Sequence, residues 1–82
     1  MHGHFTIPFD IILLDAAGTA MEQAGFTLHA PTLEAALDNI TVLMGSPLAP
    51  EARAAVLRVN ELDLSTHPQW SAAHGGLLLP RQ

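Results

Sequence analysis

The sequence contains no cysteine, no lysine and no tyrosine in its 82 residues. Without cysteine a chain has neither disulfides nor thiolate metal sites, which removes the framework that stabilises many small secreted domains. This absence predicts a reducing, cytoplasmic location. Without lysine, chemistry that depends on a lysine amine is excluded as well.

Positive charge is scarce throughout the chain. Arg53, Arg58 and Arg81 stand against eight acidic residues, for a formal net charge of −5. Affinity for nucleic-acid backbones comes from clustered Lys and Arg side chains that release counterions. We therefore expect no nucleic-acid binding. No apolar run approaches the roughly 20 residues that a membrane-spanning helix requires, so no membrane span is predicted.

Apolar residues are abundant, since 49% of the chain is hydrophobic. A domain of this size buries only about 60% of the surface that its unfolded chain exposes. Several apolar side chains are therefore expected to stay outside the core unless another chain covers them. The composition favours a protein that associates with another protein or with itself.

Apolar residues recur three and four positions apart in three segments, each of which begins near a proline. This spacing is typical of one face of a helix. It predicts an all-α fold, a small three-helix bundle with helices over about 8–24, 31–44 and 50–62. Short connections favour antiparallel neighbouring helices.

The remaining residues complete the predicted domain organisation. Residues 1–7 are predicted to form a flexible N-terminus, 8–64 the helical domain, and 65–82 a short helix and apolar tail. Pro68 and the Gly75-Gly76 pair would bound this short fourth helix. The alternative for the same region is an extended C-terminal tail.

Some apolar residues do not fit the cores of the predicted helices. Ile11, Val42 and Leu57 fall away from the apolar stripes, one in each helix, and a tryptophan and a run of three leucines follow. Trp70 is either an interface anchor or a cap on the open end of the bundle. The predicted partner-binding residues are Ile11, Val42, Leu57, Trp70, Leu77, Leu78 and Leu79.

These features predict a non-catalytic small helical subunit or adaptor that docks on a partner protein through surplus apolar side chains. One alternative is a small acidic inhibitor or antitoxin-like protein that blocks a basic site. Another is a homodimeric helical regulator in which two copies share one core. Salt-sensitive binding would favour the first alternative, and concentration-dependent melting would favour the second.

The sequence offers little catalytic or metal-binding chemistry. Its five histidines include His2, His4, His67 and His74, but neither a His-x-x-x-His nor a Glu-x-x-His pattern lies on a predicted helix. We expect no metal, no cofactor and no catalytic residue.

The segment Ile11-Ile-Leu-Leu-Asp15-Ala-Ala-Gly18-Thr19 resembles the first motif of haloacid-dehalogenase-type phosphohydrolases, a hydrophobic strand that ends in Asp-x-x-Gly-Thr. The resemblance implies that Asp15 would be a nucleophile. The sequence departs from that pattern because Ala17 stands where most of those enzymes have a second aspartate.

A second stretch begins at Ser46-Pro-Leu-Ala-Pro50-Glu-Ala-Arg53 and continues through Asn60-Glu-Leu-Asp63 to Thr66-His-Pro68. It is similar to the small subunits that wrap around amidase-signature enzymes. That similarity implies a helix that ends at Asn60-Glu-Leu-Asp63 and is followed by an extended tail.

Overall fold

The computed structural model of the chain describes residues 5–46 and 50–81. The elements in these ranges are β1 (Ile7–Leu14), β2 (Ala20–Ala30), α1 (Leu33–Gly45), β3 (Ala54–Arg58), β4 (Trp70–Ser71) and β5 (Gly76–Pro80). The five strands form one sheet in the order β2-β1-β3-β5-β4, and every neighbouring pair is antiparallel. The described chain is therefore mostly β, with a single helix on one face of the sheet.

The predicted all-α three-helix bundle is wrong. The segment 8–24 contains β1, a hairpin turn and the start of β2, and the segment 50–62 contains β3. The predicted short fourth helix is replaced by turns and β4, and the predicted tail contains β5, which lies between β3 and β4. Residues 8–64 are therefore not a helical bundle, and the helix implied by the amidase-subunit similarity is absent as well. Residues 1–4 of the predicted flexible N-terminus lie outside the described residues.

The first hairpin forms because Asp15 and Gly18 favour a tight turn. The Asp15 Oδ1 atom accepts hydrogen bonds from the backbone N–H groups of Ala17 at 2.9 Å and of Thr19 at 3.0 Å. Gly18 has a φ of 79°, a conformation that residues with a Cβ rarely adopt. Helical periodicity placed this glycine inside a helix, whereas the local side-chain bonds stabilise a chain reversal.

Strand β1 directs alternate residues to opposite faces of the sheet, as strand geometry requires. Phe9, Ile11 and Leu13 are buried among the core residues on the face that carries α1. Pro8 is tolerated because the pairing of β1 with β3 begins only at Asp10, so no ladder bond to β3 is needed at the proline.

The prediction of a helix over 31–44 is confirmed by α1. The Thr32 Oγ1 atom caps the first turn by accepting from the Ala35 N–H at 3.1 Å. Ala36, Ile40 and Met44 are buried at intervals of four residues and pack against the sheet. The residues between them are partly or fully exposed, as expected when one face of a helix packs on a sheet.

The core lies between α1 and one face of the sheet. Ile11, Leu57 and Leu77 are directly opposed on β1, β3 and β5, and each has no exposed surface. Leu64, from the connection between β3 and β4, joins the same cluster. We call the other side of the sheet the open face, because no helix or strand of the described residues packs on it.

Candidate functional site

The open face carries an apolar patch at its centre. Ile12, Val56 and Leu78 are directly opposed on the adjacent strands β1, β3 and β5. Leu14, Ala54 and Pro80 form the next row on the same strands. The apolar patch therefore consists of Ile12, Leu14, Ala54, Val56, Leu78 and Pro80.

The six side chains of the apolar patch differ in exposure. Val56 is 1% exposed and Leu14 5% exposed, so both are buried. Ile12, Ala54 and Leu78 are half-buried, and Pro80 is exposed. Antiparallel sheets with one solvated face normally place polar residues there. A two-row apolar block on the three inner strands departs from that alternation and favours contact with another surface.

A polar row borders the apolar patch on the same face. Asp10 and Arg58 are directly opposed on β1 and β3, and both are exposed. The Thr27 hydroxyl donates to Asp10 Oδ1 at 3.4 Å. The Nε and Nη2 groups of Arg58 donate to the carbonyl oxygen of His74 at 3.0 and 2.7 Å. Because arginine has five N–H donors, Arg58 keeps donors for a further acceptor.

A depression of about 360 Å³ lies beside this row, and its lining includes Asp10, Ile12, Gly25, Thr27 and Arg58. Gly25 is directly opposed to Ile12 and has no side chain to fill the space. A Cβ placed there would meet no heavy atom within 4 Å. The open face therefore combines an apolar patch, one charge of each sign and an adjacent depression.

The structure brings four of the predicted partner-binding residues together in the core. Ile11, Leu57 and Leu77 form one row with no exposed surface, and Trp70, opposed to Leu77 on β4, is half-buried against them. In this conformation Ile11, Leu57 and Leu77 have no free surface for contact with a partner, whereas Trp70 keeps part of its surface. Trp70 packs at the edge of the core beneath the sheet. The alternative that it caps the open end of a helical bundle is wrong, because the described residues form no such bundle.

The other three predicted residues lie on different surfaces, because Leu78 and Leu79 are adjacent in β5 but on opposite faces of the sheet and Val42 is on α1. Val42 is 72% exposed on α1, and Leu79 is half-buried against the core. Leu78 belongs to the apolar patch of the open face. The seven residues therefore do not form one continuous surface, and contact of the exposed ones with a partner stays a prediction.

Sequence reasoning missed most of the open face because it assigned helices to β1 and β3. Under a helical period Ile12 and Val56 were core residues, whereas a strand period places both on the face opposite α1. The available signal was the length of the apolar run Ile11–Leu14, which is too short for a helix and ends at the turn residue Asp15. Ala55–Leu57 has the same short, apolar character.

Two of the described histidines, His67 and His74, form local hydrogen bonds. His67 Nδ1 accepts from the Gln69 N–H at 3.1 Å, and His74 Nδ1 lies 2.8 Å from Ser71 Oγ within the turn between β4 and β5. Among residues 5–46 and 50–81, no group of three or more metal-ligating side chains is found. His2 and His4 lie outside the described residues.

The carboxylate of Asp15 stabilises the turn between β1 and β2. Its Oδ1 atom accepts two backbone N–H bonds within the turn, and β1 and β2 are antiparallel. The phosphohydrolase resemblance implied a nucleophile at the end of a strand, available to a substrate. The turn geometry instead gives Asp15 a structural role.

The carboxylate of Asp63 also accepts local hydrogen bonds, in the connection between β3 and β4. Its Oδ1 atom accepts from the hydroxyl of Ser65 at 2.7 Å and from the Ser65 backbone N–H at 3.0 Å. The side-chain bond, followed by the backbone bond, lowers the pKa of Asp63 below its ordinary value of 3.8, because both bonds favour the charged carboxylate.

We expect Ser65→Ala to raise the pKa of Asp63 towards its ordinary value, without fully restoring it, because the backbone bond remains. Since the pKa is depressed in the folded chain, the stabilisation is present above the unfolded pKa and is lost as pH falls through the folded pKa. An NMR titration of the Asp63 carboxyl carbon in both proteins measures this difference. Identical midpoints would show that the hydroxyl bond does not control the titration.

Comparison with protein-family models, with curated proteins and with solved structures finds no match for the chain. Among the described residues, no helix combines the length and apolar character needed to cross a membrane.

Proposed function

We propose that this chain is a non-catalytic binding domain that docks on another protein chain through its open face. The observation that supports the proposal is the apolar patch, because its residues occupy the three inner strands of an antiparallel sheet. The helix already covers the opposite face, so the open face is where an additional layer can pack. The proposal keeps the predicted non-catalytic docking role without the helical fold, and it assigns the contact to the open face rather than to the seven residues predicted from the sequence.

A rigid sheet is a suitable surface for this purpose. Complete burial of a Leu or Ile side chain contributes about 1.5–3 kcal/mol, and Ile12 and Leu78 each have part of that surface still to bury. Because ladder bonds already fix the backbone of β1, β3 and β5, less conformational freedom is lost on docking than for a loop. Association through this face is expected to be specific and of moderate strength.

The hydrogen bonds of the reactive side chains support a non-catalytic role. Ser71 and His74 bond to each other within one turn, and the carboxylates of Asp15 and Asp63 accept backbone bonds within their own turns. Glu34 and Asp38 lie apart from these groups on the exposed side of α1. This dispersion of the acids gives the acidic-inhibitor alternative less support than docking of the open face. The proposal also keeps the cytoplasmic location predicted from the lack of cysteine.

Site-specific photo-crosslinking in the native cells tests the proposal. We expect a photoreactive phenylalanine derivative at position 12 to give a discrete protein adduct, because Ile12 lies in the apolar patch. The same group at position 42 is the control, since Val42 is 72% exposed on the opposite side of the molecule. Position 42 is expected to give no adduct of that mass.

A second measurement links the adduct to the apolar patch. We expect Leu78→Ser to reduce the position-12 adduct and Val42→Ser to leave it unchanged. Adduct formation at position 42 alone, or at neither position, would contradict the proposal. Circular dichroism of each purified variant shows whether it keeps the fold during the comparison.

A further inference from the structure

The rows of the open face are arranged so that they complement themselves. In the central row, Gly25, Ile12, Val56 and Leu78 follow one another across β2, β1, β3 and β5. The midline of these four strands runs between β1 and β3. A two-fold axis parallel to the strands along this midline would place β1 of one copy over β3 of the other, and β2 over β5.

This operation pairs residues that fit each other in size. Ile12 of each copy would lie over the position of Val56 in the other. Because Val56 is only 1% exposed, the apolar contact would be made by Ile12 and Leu78, which keep part of their surface. Leu78 would lie over Gly25, which is one of the residues that line the depression of about 360 Å³. Because a Cβ at Gly25 has no neighbour within 4 Å, this position has room for the leucine. The exposed part of Leu78 from one copy would therefore fill the open space at Gly25 of the other copy.

The same operation pairs opposite charges. Asp10 and Arg58 are directly opposed across the midline, so Asp10 of one copy would face Arg58 of the other, twice in the pair. Arg58 retains N–H donors beyond the two that bond to the carbonyl of His74. On a chain of net charge −5, a surface whose charged row holds one acid and one base avoids the like-charge repulsion that would oppose self-association.

We infer that the occupant of the open face is a second copy of this chain, which packs sheet on sheet about a two-fold axis to form a four-layer α/β/β/α dimer. The two sheets would lie about 10 Å apart with their strands within about 30° of each other, as in aligned sheet packing. The inference rests on the proposed function, because it names the partner of the same surface.

Sedimentation velocity of the purified full-length chain tests the inference. We expect the mass to rise from 8.7 kDa to twice that value as the concentration increases from about 1 µM to about 1 mM, the range of weak to moderate protein association. We expect Asp10→Arg and Arg58→Asp each to remain monomeric, because like charges then face each other across the axis. The control Asp38→Arg, which makes the same charge change on α1, is expected to dimerise like the original chain.

Mixing the two charge variants gives a sharper result. Every facing pair in the mixed dimer again has opposite charges, so an equimolar mixture is expected to form heterodimers. Native mass spectrometry identifies them, because the two variants differ in mass. Gly25→Val provides a second test, since the valine would occupy the space for Leu78 while its Cβ meets no atom of its own chain. Its dimer is expected to be lost, while the monomer is expected to keep a cooperative thermal unfolding transition.

The outcomes separate this inference from the proposed function. A chain that stays monomeric at every concentration overturns the inference, as does a dimer unaffected by Asp10→Arg and Gly25→Val. In either case photo-crosslinking at position 12 still tests the proposed function separately. An adduct with a different protein would support docking of the open face on a foreign partner, although the inference of a dimer had failed. A dimer that the mixture restores supports the inference.

Discussion

Replacement of Phe9 by alanine is expected to destabilise the chain by about 3–5 kcal/mol, the usual effect of removing a buried phenylalanine. Phe9 has no exposed surface and lies on the core face of β1, in the cluster that includes residues of α1. Small domains have a total stability of about 5–15 kcal/mol, so this loss is a large share of the whole. Phe5 supplies a matched control, because it is 89% exposed just before the same strand.

We expect Phe5→Ala to change the stability by no more than about 0.5 kcal/mol, as for most surface substitutions. Urea unfolding followed by the fluorescence of Trp70 measures both variants, since this half-buried tryptophan packs against the core. Similar losses in the two proteins would contradict the assignment of the core face. If Phe9→Ala does not fold, Phe9→Leu keeps the comparison possible with a smaller expected loss.

Replacement of Gly76 by alanine is expected to cost about 3 kcal/mol, the upper part of the range for overpacking a closed site. A Cβ at Gly76 would collide with the backbone carbonyl oxygen of Leu57 and would lie 2.9 Å from Cγ of Arg58. The Leu57 oxygen belongs to the neighbouring strand β3, so relief requires movement of the backbone. The Arg58 bonds to the His74 carbonyl would also be displaced.

Gly25→Ala is the control for Gly76→Ala. Both glycines lie in strands, and neither has a positive φ, but a Cβ at Gly25 meets no atom within 4 Å. We expect this control to be neutral or slightly stabilising, because alanine restricts the unfolded chain more than glycine does. Thermal unfolding of the two variants at about 1 µM, the monomeric end of the concentration range above, measures the difference without a contribution from association at Gly25. Equal unfolding temperatures would show that β3 and β5 are not held as closely as described.

The sequence was sufficient to predict α1 but not the strands. In α1, Ala36, Ile40 and Met44 recur at intervals of four residues, with Asp38, Asn39 and Thr41 among the residues between them. In β1, by contrast, Ile11 and Ile12 are both apolar although they lie on opposite faces. An inner strand that is covered on one face and carries an apolar patch on the other loses the alternation that identifies strands.

The open face could not be predicted without the strand pairing. Ile12, Val56 and Leu78 are far apart along the chain and meet only because β1, β3 and β5 are neighbours in this register. Asp10 and Arg58 become a row in the same way. A single sequence contains no local pattern that specifies these long-range pairings, whereas the hairpin between β1 and β2 carried a readable turn signal at Asp15 and Gly18.

The strand order also affects the order in which the structure can assemble. Strand β1 pairs with β2 across a short turn, but its pairing with β3 must close a loop that contains β2 and α1. Because closing longer loops costs more chain entropy, we expect the hairpin and the helix to form before β3 and β5 join the sheet. Pulsed hydrogen exchange would detect this as earlier protection of the β1–β2 amides. Before β3 pairs with β1, the edge of β1 that faces β3 has unpaired backbone N–H and C=O groups. The newly synthesised hairpin is therefore most prone to aggregation at this stage, because another chain can pair with that edge.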